Sequence, residues 1–224
     1  MTQISGIKEV TSYTDLQVTS ASSQVSKNAI ELIVQGTPGN DYIRGGLANE
    51  LLMGGGGNDQ LVSGGGNDVM VSSAGYDGMD GGAGNDTLEG NAGDDVLTGG
   101  LGADKLTGGT GNDRFVFTSS ADSYAGSSDL ITDFIWGQDK LDVAALGVTG
   151  LGDGRDGTLR MTYDENTDRT YLRSSEAGAD GHAFQVTLAG FDYTQLITNA
   201  DLVVADKAEV VLIGHTTIDI DHVG

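Results

Sequence analysis

The sequence predicts an all-β fold made of short strands and tight turns stacked as coils. Three observations predict it. A nine-residue unit repeats without a gap from Gly36 to Val116. A large apolar residue stands at the eighth position of every unit, and an acidic residue at the sixth. Glycine fills the positions around them; 37 glycines in 224 residues is about twice the usual share, and glycine is the residue that tight turns demand.

Composition narrows the function. The formal net charge is −22, from 33 acidic and 11 basic side chains. Such a chain repels itself and resists compaction, but 38% of its residues are hydrophobic and they are regularly placed. Nucleic acid is excluded as a partner, because phosphate contacts need a basic face. The charge asks for cations instead. Without cysteine there is no disulfide framework and no thiolate chemistry. "MTQISGIKEV" lacks the apolar core of a signal peptide, so any export address is expected elsewhere. No apolar run approaches a membrane span, and the chain is read as a monomer.

Residues 1–35 read as an N-terminal linker or cap strand, with "KNAIELIVQG" supplying a strand and a first core contact through Val34. Residues 36–116 then divide into GTPGNDYIR, GGLANELLM, GGGGNDQLV, SGGGNDVMV, SSAGYDGMD, GGAGNDTLE, GNAGDDVLT, GGLGADKLT and GGTGNDRFV. Position six holds Asp41, Glu50, Asp59, Asp68, Asp77, Asp86, Asp95, Asp104 and Asp113. Position eight holds Ile43, Leu52, Leu61, Met70, Met79, Leu88, Leu97, Leu106 and Phe115. Glycines at positions one, two and four permit positive φ and a tight turn. Positions seven to nine read as a very short strand, with the position-eight side chain inward and its neighbours outward. One inward residue per nine makes no core alone. Stacked coils of two strands and two turns per eighteen residues make a continuous one.

This unit resembles the nonapeptide of RTX proteins, a calcium-binding β-helix repeat. The resemblance covers all nine units and implies a right-handed parallel β-roll with calcium between its turns. The donors suit that ion, which prefers carboxylate and carbonyl oxygens. The expected ligands are the position-six carboxylates, with Glu50 the weakest. The expected carbonyl donors are the turn glycines Gly36, Gly39, Gly54, Gly57, Gly81, Gly84, Gly90, Gly93, Gly99, Gly102, Gly108 and Gly111. Alternate units share an edge. One edge carries Asp41, Asp59, Asp77, Asp95 and Asp113, the other Glu50, Asp68, Asp86 and Asp104; four gaps and three give a ceiling of about seven ions. Glu50, Ala48, Ser63, Ser72 and Ser73 depart from the pattern, and the Glu50–Asp68 gap is the first expected to stay empty. Stacked carboxylates repel without metal, so folding and calcium binding are expected to be one event, suited to a protein that folds outside the cell.

Residues 117–204 read as a β-rich cap over the open end of the roll, which protects its edges. Strands are expected at Arg114–Thr118, Leu130–Phe134, Lys140–Val143, Leu159–Tyr163, Thr170–Arg173, Phe184–Leu188 and Val210–Ile213, with a hairpin turn at 164–168 and a short helix at Tyr193–Ile197. "DLITDFIWGQDKLDV" is similar to the segment that follows the repeats in secreted serralysin-type metalloproteases and alginate-modifying enzymes. "AALGVTGLGDGRDGTLRMTY" and "RTYLRSSEAGADGHAFQVTLAG" resemble the R-modules of bacterial mannuronan C-5-epimerases. That resemblance runs from the repeats to about Val204. It implies a non-catalytic module of an extracellular enzyme that converts mannuronate to guluronate in alginate. It also implies a separate catalytic module as partner, and a C-terminal type I secretion signal within residues 205–224.

The residues carry no catalytic signature. HExxH and GxSxG are absent, and His182, His215 and His222 lack metal-ligand spacing. Asp133, Asp139 and Asp142 read as turn and capping residues, and Asp153 and Asp156 as a turn or a further calcium site. Alginate is a polyanion, and Arg160, Arg169 and Arg173 with Tyr171 are the candidate contacts. Alternation puts Arg169, Tyr171 and Arg173 on one strand face, which suits either uronate binding or ordinary cap packing. Two other readings stay open: the C-terminal module of a secreted metalloprotease or lipase, and a structural surface or adhesin module.

Overall fold

A computed structural model describes Ile30 and residues 32–190, 202–203 and 221–222. The repeat and the four residues before it form ten strands. They are β1 (Leu32–Gln35), β2 (Tyr42–Arg44), β3 (Glu50–Gly56), β4 (Gln60–Gly65), β5 (Val69–Ala74), β6 (Gly78–Ala83), β7 (Thr87–Ala92), β8 (Val96–Leu101), β9 (Lys105–Thr110) and β10 (Arg114–Val116). From β1 to β8 each strand pairs in parallel with the strand two places on, eighteen residues later, as in Leu88↔Leu106 and Met79↔Leu97. Two parallel sheets result, and the chain winds between them as a β-roll.

Position eight fills the space between the sheets. One column runs Val34, Leu52, Met70, Leu88, Leu106 and Ile131; the other runs Ile43, Leu61, Met79, Leu97, Phe115 and Leu141. All twelve are buried. The strands are longer than positions seven to nine, continuing through positions one to three of the next unit, as in TLEGNA of β7. The turn occupies positions four to six. From the third unit on, the glycines at positions two and four carry the positive φ, as at Gly82 (86°) and Gly84 (139°), while Gly81 at position one does not. Ser73 and Asn91 accept positive φ at position two, at 101° and 76°.

The parallel ladder does not stop with the nonapeptide. β11 (Leu130–Ile131) stacks on β9, and β12 (Lys140–Asp142) stacks on β10. Both strands are shorter than expected. At β11 the Asp133 carboxylate accepts the Gly108 and Gly109 amides, at 3.0 and 2.8 Å, where a further strand carbonyl would stand. A 3-10 turn at Ala144–Leu146 and β13 (Gly150–Leu151), neither anticipated, lead to β14 (Thr158–Asp164). The hairpin expected at 164–168 joins β14 to β15 (Arg169–Ala177), and β16 (Ala183–Ala189) returns alongside. β16 lies parallel to β11, so this antiparallel meander extends one sheet of the roll, and β17 (Leu202–Val203) extends the other. β18 (Asp221–His222) pairs with β14. Phe117, Leu159, Leu172, Phe184, Val186 and Leu188 continue the core into this region. The strand expected at Val210–Ile213, the helix expected at Tyr193–Ile197, His215 and the rest of the 205–224 tail lie outside the described residues.

Each core side chain is locked between neighbours above and below. Leu88→Ala is expected to lower stability by about 2–5 kcal/mol, read from chemical denaturation at fixed saturating calcium, because neighbours in a stacked column cannot collapse into the space. A loss below about 1 kcal/mol would mean the column is loosely packed.

Candidate metal centre

The position-six residues form two ladders, one along each edge of the roll. The backbone N–H of each rung donates to Oδ1 of the rung one coil on. Asp41 donates to Asp59 at 2.9 Å, Asp59 to Asp77 at 2.7 Å, Asp77 to Asp95 at 2.9 Å and Asp95 to Asp113 at 3.0 Å. On the other edge Glu50 donates to Asp68 at 2.8 Å, Asp68 to Asp86 at 2.7 Å and Asp86 to Asp104 at 2.8 Å. The sequence places these residues so because eighteen residues make one coil, which stacks every carboxylate over its predecessor at strand spacing.

Both ladders continue past the repeat. Asp104 N–H donates to Asp129 at 2.9 Å, and Asp113 N–H to Asp139 at 3.0 Å. These rungs escape the sequence period because they lie 25 and 26 residues from their partners instead of 18. The loops between absorb the difference, and the carboxylates land in register all the same. Asp139 is therefore a rung as well as the turn residue expected, since its Oδ2 accepts the Ile135 amide at 2.7 Å. Asp122 keeps the frame of nine. Its Oδ2 accepts Thr118 N–H and Oγ1, at 2.8 and 2.9 Å, as Asp41 Oδ2 accepts those of Thr37. With the two added rungs the edges hold five gaps and four, nine in place of seven.

Between the end rungs Asp41, Glu50 and Asp139, whose carboxylates accept local hydrogen bonds, every rung keeps one oxygen without a partner. Oδ2 of Asp59, Asp68, Asp77, Asp86, Asp95, Asp104, Asp113 and Asp129 is buried with no hydrogen bond. Buried polar atoms are otherwise almost always satisfied, so eight in register point to a ligand. Carbonyls meet them. A methyl group at Gly81 would stand 2.6 Å from Asp86 Oδ2 and 2.6 Å from the Gly99 carbonyl; at Gly90 it would stand 2.5 Å from Asp95 Oδ2 and 2.6 Å from the Gly108 carbonyl. Calcium–oxygen distances are about 2.3–2.6 Å. Position one is thus glycine to keep a point between two oxygens vacant. The spacing and the hard-oxygen donor set fit a divalent cation such as calcium. Among the described residues no group of three or more His, Cys, Asp or Glu side chains converges, so carbonyls must complete any shell.

Burial dominates the electrostatics of these carboxyls. It pushes Asp59, Asp95, Asp104 and Asp113 up to about 6 and Asp86 to about 7, with ladder amides opposing and neighbouring carboxylates mostly adding to the rise. Asp129 is driven to about 9, by burial first and then by the charge of Asp104.

The arginine face is separate. Thr170 and Leu172 are buried, while Arg169 and Arg173 are exposed and Tyr171 is half-buried. The guanidinium of Arg173 lies over the Tyr171 ring, 4.5 Å from its centroid. Arg160 pairs across the strands with Arg173, and Thr162 with Tyr171, so three cations and an aromatic ring share one face. Asp164 pairs with Arg169, but its carboxylate accepts Asn166 N–H and Thr167 Oγ1 within its own turn. Asp153 and Asp156 shape a turn: Asp153 accepts the Arg155 amide, and Asp156 has φ 53°. The Asp142 carboxylate pairs with Arg114. His182 stacks on Tyr124.

Residues 15–204 match the family described as Peptidase M10 serralysin C terminal. The chain is 52% identical over 77 residues to mannuronan C5-epimerase AlgE2 of Azotobacter vinelandii, spanning 34% of this chain and 8% of that protein. It is 49% identical over 80 residues to alginate lyase 7 of the same organism, spanning 34% of this chain and 9% of that protein. Among solved structures it is similar to the AlgE6R2 subunit from the A. vinelandii mannuronan C5-epimerase, with 37% identity, a TM-score of 0.42, and coverage of 79% of this chain and 95% of that one.

The raised carboxyls set the pH response of the metal-free roll. In the folded state they hold protons that the unfolded chain, titrating near 4, has already lost. Their contribution to the stability of the metal-free form is therefore fully present below about pH 4 and is lost as pH rises through about 6 to 7, with Asp129 extending the loss toward about 9. Thermal melts in chelator are expected to show a lower Tm, or no folded baseline at all, at pH 8 than at pH 5. A Tm that rises over this window would remove the ladder as the controlling group.

Proposed function

The chain belongs to the Peptidase M10 serralysin C-terminal family, and within it we propose a non-catalytic, calcium-loaded module of an extracellular alginate-modifying enzyme, read best as an R-module of a mannuronan C5-epimerase. The observation that carries the reading is the ladder of buried, unpaired Oδ2 atoms facing position-one carbonyls. Asp41, Asp59, Asp68, Asp77, Asp86, Asp95, Asp104 and Asp113 would hold calcium, with Glu50, and with Asp129 and Asp139 closing the last gaps. Bound calcium supplies the positive charge that lets like carboxylates stack. Folding is thereby tied to calcium, which is scarce inside cells and plentiful outside, and the module folds after export.

The matched segment spans under a tenth of AlgE2 and of alginate lyase 7, and in this reading the chemistry would belong to another part of the parent. The same type of segment in an epimerase and in a lyase favours a role shared by both reactions. Delivery of the parent to a polyuronate is such a role. Arg160, Arg169, Arg173 and Tyr171 suit it, because guanidinium groups pair with carboxylates in a bidentate manner and the ring offers an apolar face to a sugar. Read the same way, residues 205–224 would carry the secretion signal. A lyase parent is the second reading, favoured by the match to alginate lyase 7.

The test of calcium-coupled folding is circular dichroism of the chelated chain titrated with calcium, with magnesium as control. A cooperative gain of β signal with calcium alone is expected. A full β spectrum in chelator at pH 8 would sink the coupling. For the arginine face, Arg169→Ala with Arg173→Ala is expected to weaken alginate retention in affinity electrophoresis by roughly tenfold or more, since one hydrogen bond to a charged group is worth about 1.5–3 kcal/mol. Unchanged retention would assign those arginines to the cap surface alone.

A further inference from the structure

Two of the nine gaps differ from the rest in their position-one residue. Seven gaps have glycine there: Gly36, Gly45, Gly54, Gly81, Gly90, Gly99 and Gly108. The gap between Asp68 and Asp86 has Ser63, and the gap between Asp77 and Asp95 has Ser72. These are adjacent units on opposite edges, so the two gaps lie at one level, in the middle of the roll.

Both serines are fully buried, and both reach into the gap above them. Ser63 Oγ donates to the Gly81 carbonyl at 2.6 Å, and Ser72 Oγ donates to the Gly90 carbonyl at 2.7 Å. At Gly36, Gly45, Gly54, Gly81 and Gly90 the corresponding carbonyl is the oxygen that faces the vacant point; at Gly99 and Gly108 the Asp104 and Asp113 carboxylates stand nearest it. Each hydroxyl thus takes up the carbonyl that an ion would otherwise join to the carboxylate across the gap.

Resting on the calcium reading above, we infer that Ser63 and Ser72 plug their gaps, and that the roll carries a metal-free waist. The argument is one of room. A Cβ at position one stands where an ion bound to both oxygens would stand, as the 2.6 Å distances at Gly81 show. Calcium needs about 2.3–2.6 Å to each of six to eight oxygens. A hydroxyl hydrogen-bonded 2.6 Å from the Gly81 carbonyl leaves no point between them for an ion. The plug changes the site count from nine to seven by closing one gap on each edge. It also revises which gaps fail. The Glu50–Asp68 gap, marked by sequence as the weakest, keeps Gly45 at position one, so its vacant point remains between Glu50 and the Ser63 carbonyl. The open gaps fall into two blocks. Below the waist are 41–59, 59–77 and 50–68; above it are 86–104, 104–129, 95–113 and 113–139.

The test is calcium stoichiometry of the whole chain, by native mass spectrometry of protein first stripped with chelator and then saturated, checked by calorimetric titration. The wild type is expected to take seven ions, Ser63→Gly and Ser72→Gly eight each, and the double glycine variant nine. Ser63→Ala with Ser72→Ala is expected to stay at seven, because the methyl group still fills the point. Folding is no obstacle, since glycine is what seven other units carry there. Nine ions in the wild type, or glycine variants that fold and take no more than it does, would overturn the plug while leaving the calcium reading intact. No bound calcium in any variant would overturn both.

Discussion

Every feature of the roll follows from carboxylates of one sign stacked at strand spacing. Strands pair about 4.8 Å apart, and an eighteen-residue coil repeats its acidic residue at that interval along each edge. Two unit charges about 5 Å apart repel by roughly 3 kcal/mol at an effective dielectric of 20. In eight of these carboxylates one oxygen is calmed by an amide of the neighbouring coil and the other faces the gap. The fold therefore assembles a repulsive column that only protons or cations can neutralise. Burial of the same groups makes both options stronger, because the charged form has lost its water.

Glycine serves this arrangement in two distinct ways. At positions two and four the backbone takes positive φ, so a side chain there is strained. At position one the backbone is ordinary and the constraint is space, since a Cβ would enter the gap between carboxylate and carbonyl. The exceptions separate the two roles. Ser73 and Asn91 bear the strain at position two without touching a gap. Ser63 and Ser72 bear no strain at position one and fill the gap instead.

The end of the roll is built from the same ladder. Asp129 and Asp139 continue the rungs, and Asp133 uses both carboxylate oxygens to satisfy the amides of Gly108 and Gly109. The open edge is thus closed by side chains before the antiparallel meander begins. That meander then presents Arg169, Tyr171 and Arg173 outward because alternation buries Thr170 and Leu172 against the core. A protein with net charge −22 so gathers three of its few cations on one sheet face.

The sequence by itself determined the coil, the two apolar columns, the two carboxylate edges and the hairpin at 164–168. Each depends on a local period or turn chemistry, which a linear chain displays openly. The alternating face of β15 was legible for the same reason. Only the tertiary structure decided that Asp129 and Asp139 are rungs, because loops of irregular length hide their register and pairing alone restores it. Only it separated the glycines of position one from those of positions two and four, since the difference lies in what stands across the gap, one coil away. The same holds for Ser63 and Ser72. In the sequence they are small polar substitutes for glycine; in the fold each hydroxyl lies against a carbonyl eighteen residues on, at the point a cation would need.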